Sequence, residues 1–191
     1  MNFTEQQVNE FNAGYELACR KMKGLSLMEE YRPRSMNFLE RIRAKGAIKA
    51  FQKALQIYPD HWQSLFFLGK IYQRMKDHEK SLYYFESALR VEQDNHNIPQ
   101  EAALAAMHLN QIEKAIMYSA ESVKRKPGDP ALMGNHAMNL LIAGQDHEAL
   151  GTINAALAIN GTDSINLRIY QKISGVIAGS EDRPTFSASI L

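Results

Sequence analysis

The side chains able to do chemistry in this chain are spread out rather than gathered. Six histidines occur, at His61, His78, His96, His108, His136 and His147. A zinc hydrolase of the His-Glu-x-x-His type needs two histidines one helical turn apart with a glutamate as base. His78-Glu79 and His147-Glu148 begin that pattern, but neither has the second histidine. They read instead as turn and capping residues. Cys19 is the single cysteine, so no intramolecular disulfide and no multi-cysteine zinc cluster can form. Its amphipathic surroundings suit a buried thiol. No Gly-x4-Gly-Lys-Ser/Thr loop is present to cradle a phosphate, and no Gly-x-Ser-x-Gly turn to present a nucleophile. The carboxylates are dispersed along the chain without a distinguished pair. We therefore expect no catalytic residues, no cofactor, no metal and no enzymatic activity.

Chemistry being sparse, the elements that position side chains carry the information. The segment Ala47-Ile48-x2-Phe51-x2-Ala54-Leu55 has the same pattern as Ser81-Leu82-x2-Phe85-x2-Ala88-Leu89. It returns as Ala115-Ile116, Ser119, Ser122-Val123 and as Ala149-Leu150, Ile153, Ala156-Leu157. The starting positions 47, 81, 115 and 149 are each 34 residues apart. Pro59, Pro127 and Gly161 follow three of the copies as breakers, with Gln93 in the remaining one. Each copy after the first is preceded by a second apolar stripe. These are Trp62, Leu65, Leu68-Gly69 and Tyr72, then Ala102-Ala103 and Ala106, then Met133, Ala137 and Leu140. Spacings of three and four place such residues on one helical face. Each unit is thus two antiparallel helices joined by a turn, at Lys76-Asp77-His78-Glu79, Asn110-Gln111-Ile112-Glu113 and Gly144-Gln145-Asp146-His147-Glu148. Gly69, Ala103 and Ala137 are small where the helices of a unit cross. Ala54, Ala88, Ser122 and Ala156 are small where the next unit approaches.

The run Trp62-x2-Leu65-x2-Leu68-Gly69-x2-Tyr72, with the alanine and aromatic columns after it, resembles the tetratricopeptide repeat family. The resemblance covers about residues 47–161. It implies an all-α fold, a right-handed α-solenoid of stacked antiparallel helix pairs. Three regular repeats, a degenerate first repeat and a terminal capping helix are expected. The corresponding division is an amino-terminal helix and irregular segment over 1–34, then an array over 35–161. Its repeats fall at about 28–61, 62–95, 96–129 and 130–163. A capping helix over 164–179 and a flexible tail over 180–191 complete it. Pro33 and Arg34 interrupt the first repeat, leaving either a degenerate hairpin or one long helix over about 35–58.

The resemblance further implies a function. First helices of such units line a concave groove that receives a peptide or helix of another protein. Mapped here, the groove comprises Gln63, Phe66, Lys70, Gln73 and Arg74 from one unit. Asn97, Gln100, Leu104, Met107 and His108 come from the next, and Gly134, Met138, Leu141 and Ile142 from the last. One wall is polar and basic, the other apolar and methionine-containing. Some members grip acidic chaperone tails with a lysine, asparagine and arginine clamp. The matching positions include Phe66, Lys70, Glu101, Ala131 and Asn135, which do not form one. The expected role is accordingly an adaptor or scaffold that binds an apolar or amphipathic segment. Alternatively Leu141 and Ile142 are covered by the chain's own terminal or amino-terminal helix.

Composition bounds the alternatives. The 191 residues are 45% apolar and 23% charged with a formal net charge of +1, ordinary for a folded domain. No stretch is apolar enough to span a bilayer, and Met1–Glu5 lacks a leader pattern, so a cytoplasmic location is expected. The charge is uneven. Arg20, Lys21, Lys23, Arg32, Arg34, Arg41, Arg43, Lys45, Lys49 and Lys53 face only Glu29, Glu30 and Glu40 in the segment 20–53. That segment is a second route to partners, through nucleic acid or anionic membrane, with nucleic acid ranked below protein. A bacterial secretion-type chaperone is another reading, on Asn97-Ile98-Pro99-Gln100-Glu101-Ala102-Ala103. A homo-oligomer through the amino-terminal helix is a further one.

Overall fold

The computed structural model describes residues 3–25 and 35–186. The described residues form helices joined by short turns, and their contacts group into two units that divide between Gln93 and Asp94.

The first unit contains α1 (Glu5–Met22), α2 (Phe38–Ile57), α3 (Trp62–Arg74) and α4 (His78–Val91). α1 begins with a capping box in which Thr4 and Gln7 satisfy each other's amides, and α2 begins with the same device between Asn37 and Glu40. Lys45 and Gly46 are both helical, so the segment is one long helix and not a hairpin. The hairpin partner of α2 is α1. Gly14 faces Ala50 and Ala54, and Lys21 faces Gly46, so the two run antiparallel. Their seam holds Ala18, Ala44, Ala47 and Phe51, all at 0% exposure. The remains of a first-repeat helix expected around Tyr31 lie outside the described residues.

α3 and α4 form the next pair, and here the small residue at the crossing has a measurable reason. A Cβ on Gly69 would lie 2.5 Å from Cε1 of the buried Phe85. Pro59 marks the end of α2, whose last helical residue is Ile57.

The second unit contains α5 (Asn97–His108), α6 (Ile112–Arg125), α7 (Pro130–Ile142), α8 (Asp146–Ile159) and α9 (Ser164–Ile177). α5 pairs with α6 and α7 with α8. Ser122 donates to the carbonyl of His96 at 2.9 Å, and Arg125 donates to that of Asn95 at 3.2 Å, closing the first pair. Asp129 and Asp163 cap α7 and α9, with Pro130 in the first turn of α7, where its missing N–H costs nothing.

The turns within pairs repeat at atomic detail. Lys76, Asn110 and Gly144, each 34 residues on, have φ of 64°, 56° and 83°. After each of them, an amide closes the helix end onto the carbonyl five residues back: Asp77 to Tyr72, Gln111 to Ala106 and Gln145 to Leu140. Only the third copy carries the residue best suited to that backbone region. His78 and His147 sit in the first turns of α4 and α8, while the side chain capping α4 is Asp77.

Two residues beyond the end of α9 stands Gly179, with φ of 70°. The segment beyond, expected as a flexible tail, lies against the second unit over 180–186. Lys172 pairs with Glu181 at 2.7 Å, Arg183 reaches the α7–α8 turn, and Pro184 is buried.

Candidate functional site

In the first unit the expected wall is the face of α3. Gln63 and Gln73 are half-buried there, whereas Phe66, Lys70 and Arg74 are 7%, 8% and 9% exposed. Phe66 packs edge-on to Phe67 and at 5.7 Å from the Phe85 ring, so it belongs to the core of the pair. The α3 amino terminus is capped by His61, whose Nδ1 accepts from the Ser64 amide at 3.3 Å. Three rings surround this imidazole: Phe11 at 4.8 Å, Tyr15 at 4.9 Å and Tyr58 at 5.7 Å. Burial lowers the His61 pKa, which keeps the ring neutral and able to accept. Burial first, and the neighbouring Cys19 second, push the Tyr15 pKa up to about 12. Both groups are held uncharged, which suits a structural role for this cluster.

In the second unit the expected wall is formed by α5 and α7. On α5, Asn97 is exposed, Gln100, Leu104 and His108 are half-buried, and Met107 is 3% exposed. On α7, Met138 and Leu141 are 8% and 0% exposed and share one apolar cluster with Ile169 and Ile173 of α9. Ile142 packs on its edge. Gly134 is closed off as well. A Cβ there would lie only 2.1 Å from Asn166 Oδ1, and Asn166 donates to the carbonyl of Pro130 at 3.0 Å. The chain's own α9 therefore covers α7. What remains accessible of the wall is Asn97, Gln100, Leu104 and His108, with part of Ile142. Sequence reasoning named these residues but had no means of separating the accessible from the buried, because Met and Leu read alike on either kind of surface.

A contact that spacing did not anticipate lies at the carboxyl edge of these helices. Arg183 donates through Nη1 to the carbonyl of Leu141, and through Nη2 to Asp146 at 2.9 Å. Three residues on, the Phe186 ring meets His108 edge-on at 4.8 Å. The guanidinium holds the Asp146 carboxyl below the usual carboxylate range. A non-helical stretch of the chain thus lies across the ends of α5 and α7, with an arginine at one contact and an aromatic ring at the other. No spacing or repeat marks Arg183, the one arginine of the segment 180–191, for this contact.

Two further histidines make structural contacts, His136 through its ring and His96 through its carbonyl. His136 pairs with Ser119 of α6 at 2.8 Å, and burial lowers its pKa. The His96 carbonyl accepts from Ser122. Among the described residues no group of three His, Cys, Asp or Glu side chains is placed to hold a metal ion. None of the described helices is long and apolar enough to cross a membrane.

Residues 63–95 match the tetratricopeptide repeat family. The BBSome complex member BBS4 of Xenopus tropicalis is 26% identical over 106 residues, covering 56% of this chain. The match spans only 20% of that protein's length. Among solved structures, the MamA protein superposes with a TM-score of 0.73 at 12% identity, over 91% of this chain and 85% of that one. YrrB, described as a tetratricopeptide repeat protein with an unusual peptide-binding site, gives 0.66 at 16% identity, over 94% and 87% of the two chains. Residues 63–95 are matched directly as a tetratricopeptide repeat, their sequence pattern recurs at the same period on either side, and the chain shares the all-α fold of these tetratricopeptide repeat structures.

Proposed function

We propose that the chain is a non-enzymatic interaction module that binds a short segment of another protein, at the ends and accessible faces of α5 and α7. The supporting observation is its own tail. Residues 183–186 use that surface as a peptide ligand would, with backbone-carbonyl and carboxylate contacts at Leu141 and Asp146 and a ring contact at His108. Leu104 and Ile142 add apolar area, and Asn97 and Gln100 add donors and acceptors that fix orientation. A segment with a basic residue followed by an apolar or aromatic one would fit in place of the tail. YrrB is a protein of the same fold described with a peptide-binding site, which makes such use of the scaffold reasonable.

The proposal does not extend to self-association through α1. That helix is packed on α2 of its own chain, and docking elsewhere would expose Ala18 and the ring cluster at His61.

The test is selection of short peptides from a random library on the purified chain, followed by calorimetric titration of those enriched. We expect Leu104→Glu and His108→Ala to weaken binding at least tenfold while leaving the melting temperature within a few degrees of the parent. Enriched peptides whose affinity ignores both substitutions place the ligand elsewhere, and an empty selection removes the proposal.

A further inference from the structure

α2 carries an outward face that its own unit does not use. Phe38 and Leu39, 76% and 65% exposed, are the most exposed large apolar side chains among the described residues, and Ile42, one turn on, is 52% exposed. Such residues occurring singly on a surface need no explanation. Three together in the first two turns of one helix do. Phe38 and Ile42 continue into Lys45, Lys49 and Lys53 at spacings of three and four, which puts all five on one stripe of α2. All three lysines are exposed, and none makes an ion pair among the described residues. The only carboxylate of α2, Glu40, is buried and accepts from the Asn37 amide. α1 adds a further cation, since the Lys21 ammonium lies 3.2 Å from where a Cβ on Gly46 would be. The opposite stripe, Ala44, Ala47, Phe51 and Ala54, is fully buried.

We propose that this face of α2 docks the protein on an anionic membrane surface. Phe38, Leu39 and Ile42 enter the boundary between headgroups and acyl chains, and Lys45, Lys49 and Lys53 lie along the lipid phosphates. Helices that rest in the interface combine such an apolar edge with lysines and without acidic residues on the same side. Attraction to anionic lipid amounts to roughly fivefold per lysine near the surface. A nucleic acid would engage the lysines and leave Leu39 and Ile42 in water, so the lipid surface is the partner that uses both halves of the stripe. The site is separate from the surface on α5 and α7 and stands or falls independently of it.

The experiment is co-sedimentation of the full chain with phosphatidylcholine vesicles, with and without phosphatidylserine, at low and at physiological salt. Every substituted position is exposed, and thermal melts establish that the fold is kept. We expect binding to the anionic vesicles only. A Lys45→Gln, Lys49→Gln, Lys53→Gln variant should bind on the order of a hundredfold more weakly, from the fivefold per lysine. A Phe38→Ser, Leu39→Ser, Ile42→Ser variant should also lose most binding. Equal binding to both vesicle types overturns the proposal, as does no binding to either. Full retention by the serine variant, with duplex DNA or RNA competing the protein off, overturns it in favour of nucleic acid.

Discussion

Gly69→Ala and Gly151→Ala change the same atom in the same kind of element and should move stability in opposite directions. Both glycines are in helix interiors, where alanine is favoured by about 1 kcal/mol. A methyl on Gly151 meets nothing within 4 Å, so that variant should gain the whole amount. A methyl on Gly69 would lie 2.5, 2.7 and 2.9 Å from three atoms of the Phe85 ring, against an ordinary carbon contact of about 3.5–4.0 Å. The ring must retreat by roughly 1 Å, yet it is fully buried and already rests on Phe66. Overpacking costs about 1–3 kcal/mol, and displacing a fully buried ring falls in the upper part of that range, so Gly69→Ala should be destabilised by about 1–2 kcal/mol net. At this chain length that is a fall of several degrees in melting temperature, against a rise of about 2–4 °C for Gly151→Ala. Trp62 is the only tryptophan and sits on α3, so its fluorescence follows unfolding of the unit containing Gly69. A Gly69→Ala protein as stable as the parent, or more so, would refute the claim that this glycine sets the helix crossing.

Other substitutions and conditions probe separate links. Lys76→Gly should raise the melting temperature by a few degrees, because a lysine held at φ of 64° is strained by about 1 kcal/mol where Gly144 is not; a lowered value would contradict the turn assignment. Acidification should destabilise the fold. His61 and His136 have pKa values lowered by burial. The unfolded chain therefore binds their protons more readily, and the stability they contribute is complete above the ordinary value of 6.5 and is lost as pH falls below it. Thermal melts from neutral pH to about pH 5 should fall, and a His61→Gln, His136→Gln variant should fall less. Arg183→Ala should change the melting temperature only slightly, since both side chains of its pair with Asp146 are partly exposed and such pairs contribute little. Proteolysis within 180–186 should nevertheless become faster, and an unchanged cleavage rate would show that Arg183 does not hold the tail.

The repeating part of the fold was legible because each structural demand is stated several times at one period. Gly69 alone is an ambiguous glycine. Aligned with Ala103 and Ala137, it marks a column where helices touch, and the Phe85 ring supplies the reason. The same holds for the turns, where a lysine, an asparagine and a glycine occupy one backbone conformation. What was not repeated was not legible. Whether residues 38–57 form one helix depends on α1 supplying the partner, a contact far along the chain. The expected groove was harder still. Met138 and Leu141 have the spacing of a lining residue and of a core residue alike, and it is their packing in one cluster with residues of α8 and α9 that makes them core. Arg183 carries no periodic signal, because its partners are a backbone carbonyl and a turn carboxylate.

The central claim is that the ends and open faces of α5 and α7 receive a peptide segment. Backbone amide chemical shifts of the isotope-labelled full chain, recorded while a selected peptide is added, test it most directly. The claim predicts that the largest changes fall at Asn97, Gln100, Leu104, His108 and Asp146, together with release of residues 183–186 from their contacts. Changes confined to α6 and to α8 beyond its first turn, or to α2, with Arg183 and Phe186 undisturbed, would contradict it.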